Sequence, residues 1–492
     1  MGGESSRSQA SRRLGRQSWR NHVAPTQGHS LFAKGVQSMA LPKITTTLPF
    51  EDFVVETDRT WVDWIREADD PKTGHLKPEA LDDLMVLDAS YGNIGGLFAS
   101  SILAELGADV IRIEPPEGDL ARHFSPFGYQ YKGTGLGYLV EGRNKMHMTL
   151  NLKTKEGQDA FRRLAAQADV VIESFKPGVM DEYGLSYRYL KEVNPRLIYG
   201  TLYTYGHFGP DAGCGKPDYD ICDQALSGVM ALTGEPDDGT GPKHYNVPTK
   251  EGNWMAWYAG GSWLAFGILT SLFYRERTGE GQMVDVAPPE AELRFADYHI
   301  QYYHCAGKLR GLVGAYDSAV FPYTIVKTKD AYSFIAGFSD VNWEGLTNIM
   351  KDPELRQRFP TIFDRLDKEK QPAIHQSIEK WSENYTSDEI LEMVQDYTIN
   401  RRGPGVVATA RMADIKECFE DENWWERGVF DKGTDPYYGE VALQAPVWKM
   451  TGTPPRTKWV CRPVGADNDY IYQKYLGVGR EQLSDWKKRD IV

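Results

Sequence analysis

Apolar and polar positions follow strand and helix patterns in turn from residue 84 to residue 119. Residues 84–87 form a short apolar run typical of a buried strand, and residues 97–106 repeat apolar positions at helical spacing until Gly107. A second apolar run follows at residues 110–113. A strand, a turn, a helix and a strand within about 30 residues form a βαβ unit with parallel strands. The turn after the first strand is therefore predicted to lie at the carboxyl edge of a sheet, where α/β proteins bind ligands.

Strands and helices continue to alternate beyond this unit, which predicts a doubly wound α/β sheet. After about residue 296 the pattern changes to a hairpin followed by amphipathic helices. The predicted elements are strands within 142–153 and at 169–173, 196–204, 321–326 and 331–336, and helices at 60–68, 155–167, 187–192, 260–275, 341–350, 386–397, 470–476 and 480–489, with a further helix starting at Asp220.

The first turn carries three glycines, Gly92, Gly95 and Gly96, in the order G-N-I-G-G. A dinucleotide fingerprint requires G-x-G-x-x-G after a strand, and this spacing does not match it. We therefore interpret the segment as a small-residue turn that lets a bulky ligand approach the backbone, and we expect no permanently bound cofactor.

Composition narrows the class of protein. The chain has 492 residues, a formal net charge of −13 and no strongly basic region after residue 40, which argues against a nucleic-acid partner. Its five cysteines form no C-x-x-C pair, which fits a reducing compartment, here predicted to be the cytoplasm, and predicts no metal site. No apolar run of about 18 residues occurs, so no membrane-spanning helix is predicted.

Residues 1–40 differ in composition from the rest of the chain. They hold six basic residues against one acid, Glu4, with many Ser, Gly and Gln. A mitochondrial transit peptide has this composition, and so does a disordered leader or a segment upstream of a true start at Met39. The lack of a clear amphipathic stripe favours a disordered leader or an upstream segment. Residues 41–83 are acidic and are predicted to form an N-terminal arm.

Six segments between residues 84 and 292 occur in the order typical of one enzyme family. They are VLDASYGNIGGLFASSILAELGADVIRIEPPEGD, RNKMHMTLNLKTKEG, ADVVIESFKPGVMDEYGL, NPRLIYGTLYTYG, YDICDQALSGVMALTG and RERTGEGQMVDV. Together they resemble the class III coenzyme A transferases, the family that includes formyl-CoA transferase, carnitine CoA-transferase and α-methylacyl-CoA racemase. Each segment alone is a weak signal, and the ordered set is a strong one.

The resemblance implies an α/β fold with a large Rossmann-like domain and a smaller inserted α+β domain. The expected boundaries are 84–295 for the large CoA-binding domain, 296–430 for the small domain, and 431–492 for a return segment that completes the large domain. The resemblance also implies two chains threaded through each other as linked rings, an intertwined dimer formed with a second copy or with a paralogous catalytic subunit. Acyl-CoA and a carboxylic acid acceptor are the implied substrates.

CoA in such proteins lies over the carboxyl edge of the sheet. By matching position, the first turn is expected to contact the pantetheine or the thioester through Tyr91, Asn93 and Ile94. The residues expected to hold the nucleotide and its phosphates are Leu150, Lys153, Ser174 and Phe175, with Lys216 near a further basic contact.

Some of these positions depart from the family or have a plain structural interpretation. Pro115 and Glu182 stand where a well-studied member has arginines, and Arg112 and Arg143 are candidates to replace those phosphate contacts. Lys153 and Arg143 also have a plain interpretation as solvated side chains, although a role in binding is favoured.

Phe175 has two interpretations, and Asp220 has a plain structural one. Phe175 is either an adenine platform or a core residue. Asp220 is predicted to cap the helix that starts there. The residue before it, a histidine in the racemases, is Tyr219 in this chain.

A class III transferase uses an aspartate carboxylate as nucleophile. The carboxylate attacks the acyl-CoA thioester and forms a mixed anhydride, and the released CoA thiolate then returns to form an enzyme-bound thioester. Counting back from Gly261 and from Arg275 puts Trp257 at the position of the aspartate, and tryptophan cannot act in this way. The segment is also longer than the family spacing, so a shifted alignment makes Glu251 an alternative nucleophile. Its plain interpretation is a surface residue of an inserted turn.

Two functional hypotheses follow. In the first, the chain is a subunit of a heteromeric CoA-transferase that supports a catalytic paralogue, as in the succinyl-CoA:(R)-benzylsuccinate CoA-transferase of aromatic degradation. In the second, it is a homodimeric transferase that uses Glu251. Racemase activity is less favoured because Tyr219 and Trp257 both depart from the racemase pattern. Under either hypothesis, the glycine-punctuated loop at 304–314 is predicted to cover the site and exclude water.

Overall fold

The structure is a computed structural model that describes residues 59–492 apart from residues 69, 71–72, 236–247, 318 and 401. The predicted leader and the first part of the predicted arm lie outside the described residues. Among the described helices, none has the length and apolar character that crossing a membrane requires.

The described part of the chain contains strands and α-helices in alternation, followed by a helix-rich segment. The strands are β1 (Met85–Asp88), β2 (Asp109–Glu114), β3 (Gln130–Tyr131), β4 (Thr134–Gly135), β5 (Lys145–Thr149), β6 (Val170–Glu173), β7 (Ile198–Leu202), β8 (Met283–Val286), β9 (Tyr323–Lys327), β10 (Tyr332–Ala336), β11 (Ala408–Arg411), β12 (Phe430–Asp435) and β13 (Gly439–Gln444). The α-helices are α1 (Trp61–Ala68), α2 (Ile94–Glu105), α3 (Leu136–Glu141), α4 (Lys155–Ala165), α5 (Val179–Glu182), α6 (Tyr187–Val193), α7 (Asp220–Ser227), α8 (Met255–Thr278), α9 (Pro288–Leu293), α10 (His299–Ala306), α11 (Asp340–Met350), α12 (Pro353–Arg358), α13 (Ile362–Leu366), α14 (Gln371–Ser382), α15 (Ser387–Ile399), α16 (Ile415–Glu420), α17 (Glu422–Glu426), α18 (Asn468–Leu476) and α19 (Arg480–Lys488).

Six parallel strands form the central sheet in the order β5-β2-β1-β6-β7-β8. The chain thus winds outward from β1 in one direction and then from β6 in the other, which is the Rossmann arrangement. Leu87 on β1 is in register with Ile111 on β2 and Val171 on β6. The strand order reverses between β1 and β6, so a crevice opens beyond their carboxyl ends. The predicted α/β class is confirmed, and β8 is an edge strand that the sequence did not predict.

Both faces of the central sheet are covered by helices. Leu87 and Val171 face a core built with α4, α6, α18 and α19, whereas Val86 and Val170 face a core built with α2 and α8. Because both faces are buried, β1 and β6 are apolar runs up to a terminal acid, whereas β2 and β5 also carry buried polar side chains such as Arg112 and His147. The last two helices, close to the predicted 470–476 and 480–489, thus pack on the central sheet.

The helix-rich segment has a core of its own. The antiparallel strands β9, β10 and β11 form a small sheet in the order β11-β10-β9, and Trp343 of α11 lies fully buried beside them. Thr386 begins α15 with a capping box, in which its side chain accepts from the Glu389 N–H. The predicted hairpin and the two predicted amphipathic helices are confirmed.

The helix predicted at 260–275 is longer than expected. It extends over α8, from Met255 to Thr278, because its N-terminus is capped from another part of the chain. The Asp220 Oδ1 atom accepts a hydrogen bond from the Trp257 N–H at 3.1 Å. The prediction that Asp220 caps its own helix is therefore wrong, since α7 has no side-chain cap and Asp220 caps α8 instead.

Candidate active site at the carboxyl edge of the sheet

The turn after β1 contributes the first candidate ligand contacts. The Tyr91 N–H donates to the Ser174 Oγ of the turn after β6 at 3.0 Å, and the Tyr91 side chain is 42% exposed. Asn93 caps α2 through its side-chain oxygen, which accepts from the Gly96 N–H at 3.1 Å. Gly92 has a φ of 61°, a conformation that favours glycine. Tyr91, Asn93 and Ser174 therefore meet in the crevice between β1 and β6.

The four other residues predicted to contact CoA at the sheet edge differ in their exposure to solvent. Phe175 is half-buried against the core beneath it, and Lys153 is exposed just before α4. The Ile94 and Leu150 side chains are buried at 0% and 1% exposure, so they do not face solvent. Contact with CoA by these four residues stays a prediction.

Two predicted basic contacts are engaged with protein carboxylates. Arg143 is buried and pairs with Glu105 at 3.3 Å, whereas Lys216 is exposed and pairs with Asp211 at 2.7 Å. Phosphate binding by either side chain stays a prediction, and it would require these pairs to open or be shared.

A buried network of charges supports the first turn. The Arg112 guanidinium contacts the carboxylates of Asp88 and Asp119, and Asp119 Oδ1 accepts from the Gly92 N–H at 2.8 Å. Burial would raise the pKa of Asp88, but the charges of Arg112 and Lys145 hold it below its ordinary value. Burial lowers the pKa of Lys145 to about 8. The network fixes the turn, and it occupies the Arg112 group that the sequence offered as a phosphate contact.

His207, which the sequence analysis did not single out, lies beyond β7 on the other side of the crevice. Its Nδ1 lies 3.0 Å from Asp285 Oδ1 and its Nε2 lies 3.6 Å from Glu173 Oε1. Burial opposes its charge, but the two carboxylates raise the pKa of His207 to about 9, so the imidazole is protonated at neutral pH. Glu173 Oε2 accepts from the Phe175 N–H at 2.6 Å. His207 thus orients the carboxylate that holds the turn after β6. His207 could have been singled out from the sequence because it follows β7, and ligand sites of parallel sheets lie beyond the carboxyl ends of the strands.

The start of α8 lies against the start of α2. A Cβ atom at Gly95 would lie 2.5 Å from the Trp257 carbonyl oxygen, and one at Gly261 would lie 2.4 Å from the Gly95 oxygen. These glycines permit the close approach of two helix backbones. Trp257 is 3% exposed, and its ring stacks on Phe124 with the centroids 6.1 Å apart. Trp257 therefore lies beside the first turn, inside the fold.

Four carboxyl groups gather near Trp257, and we call them the acid cluster. They are Asp220 and Asp223 of α7, Glu251 before α8, and Glu292 of α9. Burial, reinforced by Asp220 and Glu292, raises the pKa of Asp223 to about 8 against the opposing effect of Thr204 and Trp257. Burial, reinforced by Glu251 and Asp220, raises the pKa of Glu292 to about 7. Neither Asp223 oxygen reaches full hydrogen-bond geometry with a described group, nor does Glu251 Oε2. Asp223 and Glu292 are therefore poised to hold or release protons near neutral pH.

Helix α7 buries polar side chains and exposes apolar ones, the reverse of an ordinary surface helix. Its buried side chains are polar, and its exposed ones include Ile221 and Leu226, which are 52% and 55% exposed. The polar face therefore lines the interior beside the acid cluster, and the apolar face is open to solvent within one chain. The buried polar residues are Asp220, Asp223, Gln224 and Ser227.

Comparison with known proteins identifies the family of this chain. A family model described as CoA-transferase family III matches residues 81–468. The chain belongs to CoA-transferase family III. It is 32% identical to the succinyl-CoA–D-citramalate CoA-transferase of Chloroflexus aurantiacus over 419 residues, which cover 84% of this chain and 98% of that protein. It is 30% identical to the alpha subunit of the succinyl-CoA–L-malate CoA-transferase of Chloroflexus aurantiacus over 424 residues, which cover 84% of this chain and 92% of that subunit.

A solved structure supports the same family at the level of the fold. The crystal structure of a CaiB/BaiF family protein from Brucella suis matches with a TM-score of 0.69 and 28% sequence identity, and covers 81% of this chain and 100% of that chain. The resemblance stated from the sequence motifs is therefore confirmed. A CoA-transferase uses an acyl-CoA and a carboxylic acid as substrates. The roles of individual residues in this CoA-transferase, including Trp257 at the position of the nucleophile, stay predictions.

Proposed function

We propose that this CoA-transferase chain is one subunit of a two-chain enzyme that moves CoA from succinyl-CoA to a small dicarboxylic acid, with a paralogous chain supplying the nucleophilic aspartate. The observation that carries the proposal is the residue at position 257. Its indole is buried against Phe124, and its backbone N–H is held by Asp220. An indole cannot form an acyl anhydride, so the nucleophile comes from elsewhere.

The named relatives support the choice of substrates. They use succinyl-CoA with D-citramalate or L-malate, and one of them is named as an alpha subunit. Both acids are short dicarboxylic acids, and (R)-benzylsuccinate, the acceptor expected from the sequence, is a dicarboxylic acid with an aromatic group. All five cysteines are free thiols, which supports a reducing compartment such as the cytoplasm.

The exposed apolar surface supports an assembly of two intertwined chains. Besides Ile221 and Leu226 of α7, the α8 residues Phe266 and Phe273 are 62% and 68% exposed. Contiguous apolar side chains on the surface of a single chain mark a face that another protein covers. In this proposal the second chain is the catalytic paralogue.

A second candidate function keeps the nucleophile on this chain. Glu251 is half-buried and its Oε2 atom is without a described partner, while its backbone N–H donates to the Gln224 Oε1 at 2.9 Å. A carboxylate in this position, within the acid cluster, favours Glu251 as the nucleophile of a self-sufficient homodimer.

Trapping of the acyl intermediate separates the two candidates. The full chain, purified alone and with any co-purifying paralogue, is incubated with succinyl-CoA and then with hydroxylamine, and the modified peptides are mapped by mass spectrometry. We expect the CoA or hydroxamate adduct on an aspartate of the paralogue. An adduct at Glu251 would instead establish the second candidate.

Mutation gives an independent test. Under the proposal, Glu251→Gln and the exposed control Glu280→Gln both retain CoA transfer, whereas under the second candidate only Glu251→Gln loses it. The proposal is wrong if the chain, with its paralogue, transfers no CoA from succinyl-CoA to any short dicarboxylic acid.

A further inference from the structure

A cavity of about 360 Å³ lies between α10, the loop that follows it, and the segment that joins α13 to α14. Its volume is at the lower end of the range of about 300–1,000 Å³ that is usual for small-molecule sites. The cavity therefore suits a small molecule and not a whole CoA. The polar residues that matter for its chemistry are Tyr298, His299, Tyr302, Arg310, Lys368 and Gln371.

The charges that line this cavity are all positive. Arg310 comes from the loop after α10, and Lys368 comes from the segment before α14. Neither Arg310 nor Lys368 forms an ion pair with a residue in the described ranges, and no aspartate or glutamate is among the residues that line the cavity. Two cations without carboxylate partners form a site that attracts an anion.

Buried polar atoms in the cavity lack hydrogen-bond partners. The Arg310 Nε and the His299 Nδ1 are both inaccessible to solvent and have no partner among the described residues. The remaining contact between the two side chains is long, with 3.5 Å between Arg310 Nη1 and His299 Nε2. A buried donor without an acceptor is costly, and a bound anion is one of the ways in which such a group is satisfied.

The state of His299 agrees with this geometry. Burial and the neighbouring Arg310 guanidinium lower the pKa of His299 below its ordinary value, although Asp297 and Asp317 oppose the shift. A neutral imidazole carries one N–H, which is a hydrogen-bond donor for a carboxylate oxygen beside the guanidinium.

We propose that this cavity binds a small dicarboxylate anion, with one carboxylate on Arg310 and His299 and the other on Lys368 and Tyr302. This inference rests on the proposed function, in which the acceptor is a short dicarboxylic acid and the succinate released from succinyl-CoA is another. Arginine suits the role because its planar guanidinium binds a carboxylate through two parallel hydrogen bonds. Because the two cations come from different segments that line the cavity, each can bind its own carboxylate, which favours an acid with two carboxylates.

The loop that carries Arg310 is tied to the segment that follows α7. The Gly314 N–H donates to the Gly234 carbonyl at 3.0 Å, and a Cβ atom at Gly314 would overlap the Glu235 carboxylate. Gly314 has a φ of 60°, a conformation that favours glycine, and a side chain there would displace the Glu235 carboxylate. The dicarboxylate cavity and the polar face of α7 are thereby linked through one short segment.

Equilibrium binding of succinate to the full chain, together with any co-purifying paralogue, tests the proposal by calorimetry. We expect Arg310→Gln to weaken succinate binding at least tenfold, Arg310→Lys to have an intermediate effect, and Lys368→Met to weaken binding several-fold. The exposed Arg358, outside the cavity, provides the matched control Arg358→Gln, which should leave the affinity unchanged. Thermal unfolding of each variant shows whether it is folded, and if Arg310→Gln is not, the Arg310→Lys and Lys368→Met variants give the result.

The choice of ligands identifies the group that the cavity recognises. Free CoA should bind wild type and Arg310→Gln with the same affinity, and butyrate, which lacks the second carboxylate, should bind wild type much more weakly than succinate does. If Arg310→Gln loses CoA binding but binds succinate as wild type does, the cavity is a phosphate site and the proposal is overturned. The proposal is also overturned if Arg310→Gln binds both ligands as wild type does. Succinate binding that depends on Arg310 in a preparation that transfers no CoA would uphold this inference and refute the proposed function.

Discussion

At the scale of single residues, the charge of His207 gives a pH dependence that can be measured. Its pKa of about 9 in the fold lies above the ordinary value near 6.5. Its pairing with Glu173 and Asp285 therefore stabilises the fold fully below about pH 6.5, and this contribution is lost as the pH rises through about 9. We expect His207→Gln to lower the free energy of unfolding by about 2 kcal/mol at pH 6 and by far less at pH 10. Denaturant unfolding at the two pH values measures the difference.

The exposed His304 supplies the control for this prediction. His304→Gln removes an imidazole without a buried carboxylate pair, so the free energy of unfolding should be unchanged at either pH. A loss of stability in His207→Gln that is the same at pH 6 and pH 10 would mean that the side chain acts through packing and not through its charge.

Asp223 has the opposite effect on stability. Its pKa of about 8 lies above the ordinary value near 3.8, so the carboxyl is protonated in the fold and ionised in the unfolded chain at neutral pH. It therefore costs stability increasingly as the pH rises from about 4 to about 8. We expect Asp223→Asn to raise the free energy of unfolding by about 1–3 kcal/mol at pH 7.5 and by little at pH 4. The exposed Asp83, as Asp83→Asn, should show no such change in denaturant unfolding.

A gain in stability in Asp223→Asn would also indicate that the acid cluster is retained for function. Buried groups that lower stability persist where function requires them. If the same variant transfers CoA more slowly, the acid cluster takes part in the reaction or in binding of the acid. If Asp223→Asn is less stable than wild type at pH 7.5, the carboxyl is ionised and paired, and the pKa assigned to it is wrong.

At the scale of secondary structure, the contact between α2 and α8 determines where the turn of the candidate site lies. Gly261 is inside a helix, where alanine is intrinsically more favourable by about 1 kcal/mol. We nevertheless expect Gly261→Ala to lower the free energy of unfolding by about 2 kcal/mol, because its Cβ would lie 2.4 Å from the Gly95 oxygen. Gly252→Ala, which meets no atom within 4 Å, is the control. A melting temperature that rises in Gly261→Ala would show that the two helices separate without cost.

The central elements could be predicted because their patterns are local. Continuous apolar runs indicated β1, β2 and β6, since each of these strands is buried on both faces. Strand β8 was missed because it is short and lies at the sheet edge, with Met283 exposed and its other residues half-buried. The start of α8 was missed because its cap, Asp220, is 37 residues away in the sequence.

The candidate site was predictable in part. The pattern of the sequence placed the turn after β1 at the carboxyl edge of the sheet, and the family resemblance named Tyr91, Asn93 and Ser174, which the structure places together. His207 and the acid cluster depend on contacts between segments that are distant in the sequence. The spacing of apolar and polar residues carries no information about such contacts. The sequence predicted the helix that starts at Asp220, but it could not show that the apolar side of this helix faces outward.

At the scale of the whole molecule, a large apolar surface is left uncovered on one chain. Phe266 and Phe273 of α8 and Phe295 after α9 are between 62% and 68% exposed, and they lie on elements that also carry the candidate site. Exposure of several large aromatic side chains is unfavourable for a monomer in water. A second chain that covers them would therefore stabilise the fold and complete the surroundings of the site.

The last prediction tests this assembly. We expect the full chain to elute as a dimer, with itself or with a co-expressed paralogue, in size-exclusion chromatography with light scattering at micromolar concentration. Substituting Phe266→Glu and Phe295→Glu together should abolish that dimer or leave the chain aggregated, because each change puts a charge where an apolar contact is expected. Phe363→Glu alters a side chain that is 81% exposed on α13 and should leave the dimer intact. A wild-type chain that is monomeric and folded, with or without the paralogue, would instead mean that this surface has another partner and that the two-ring architecture does not apply to this member of the family.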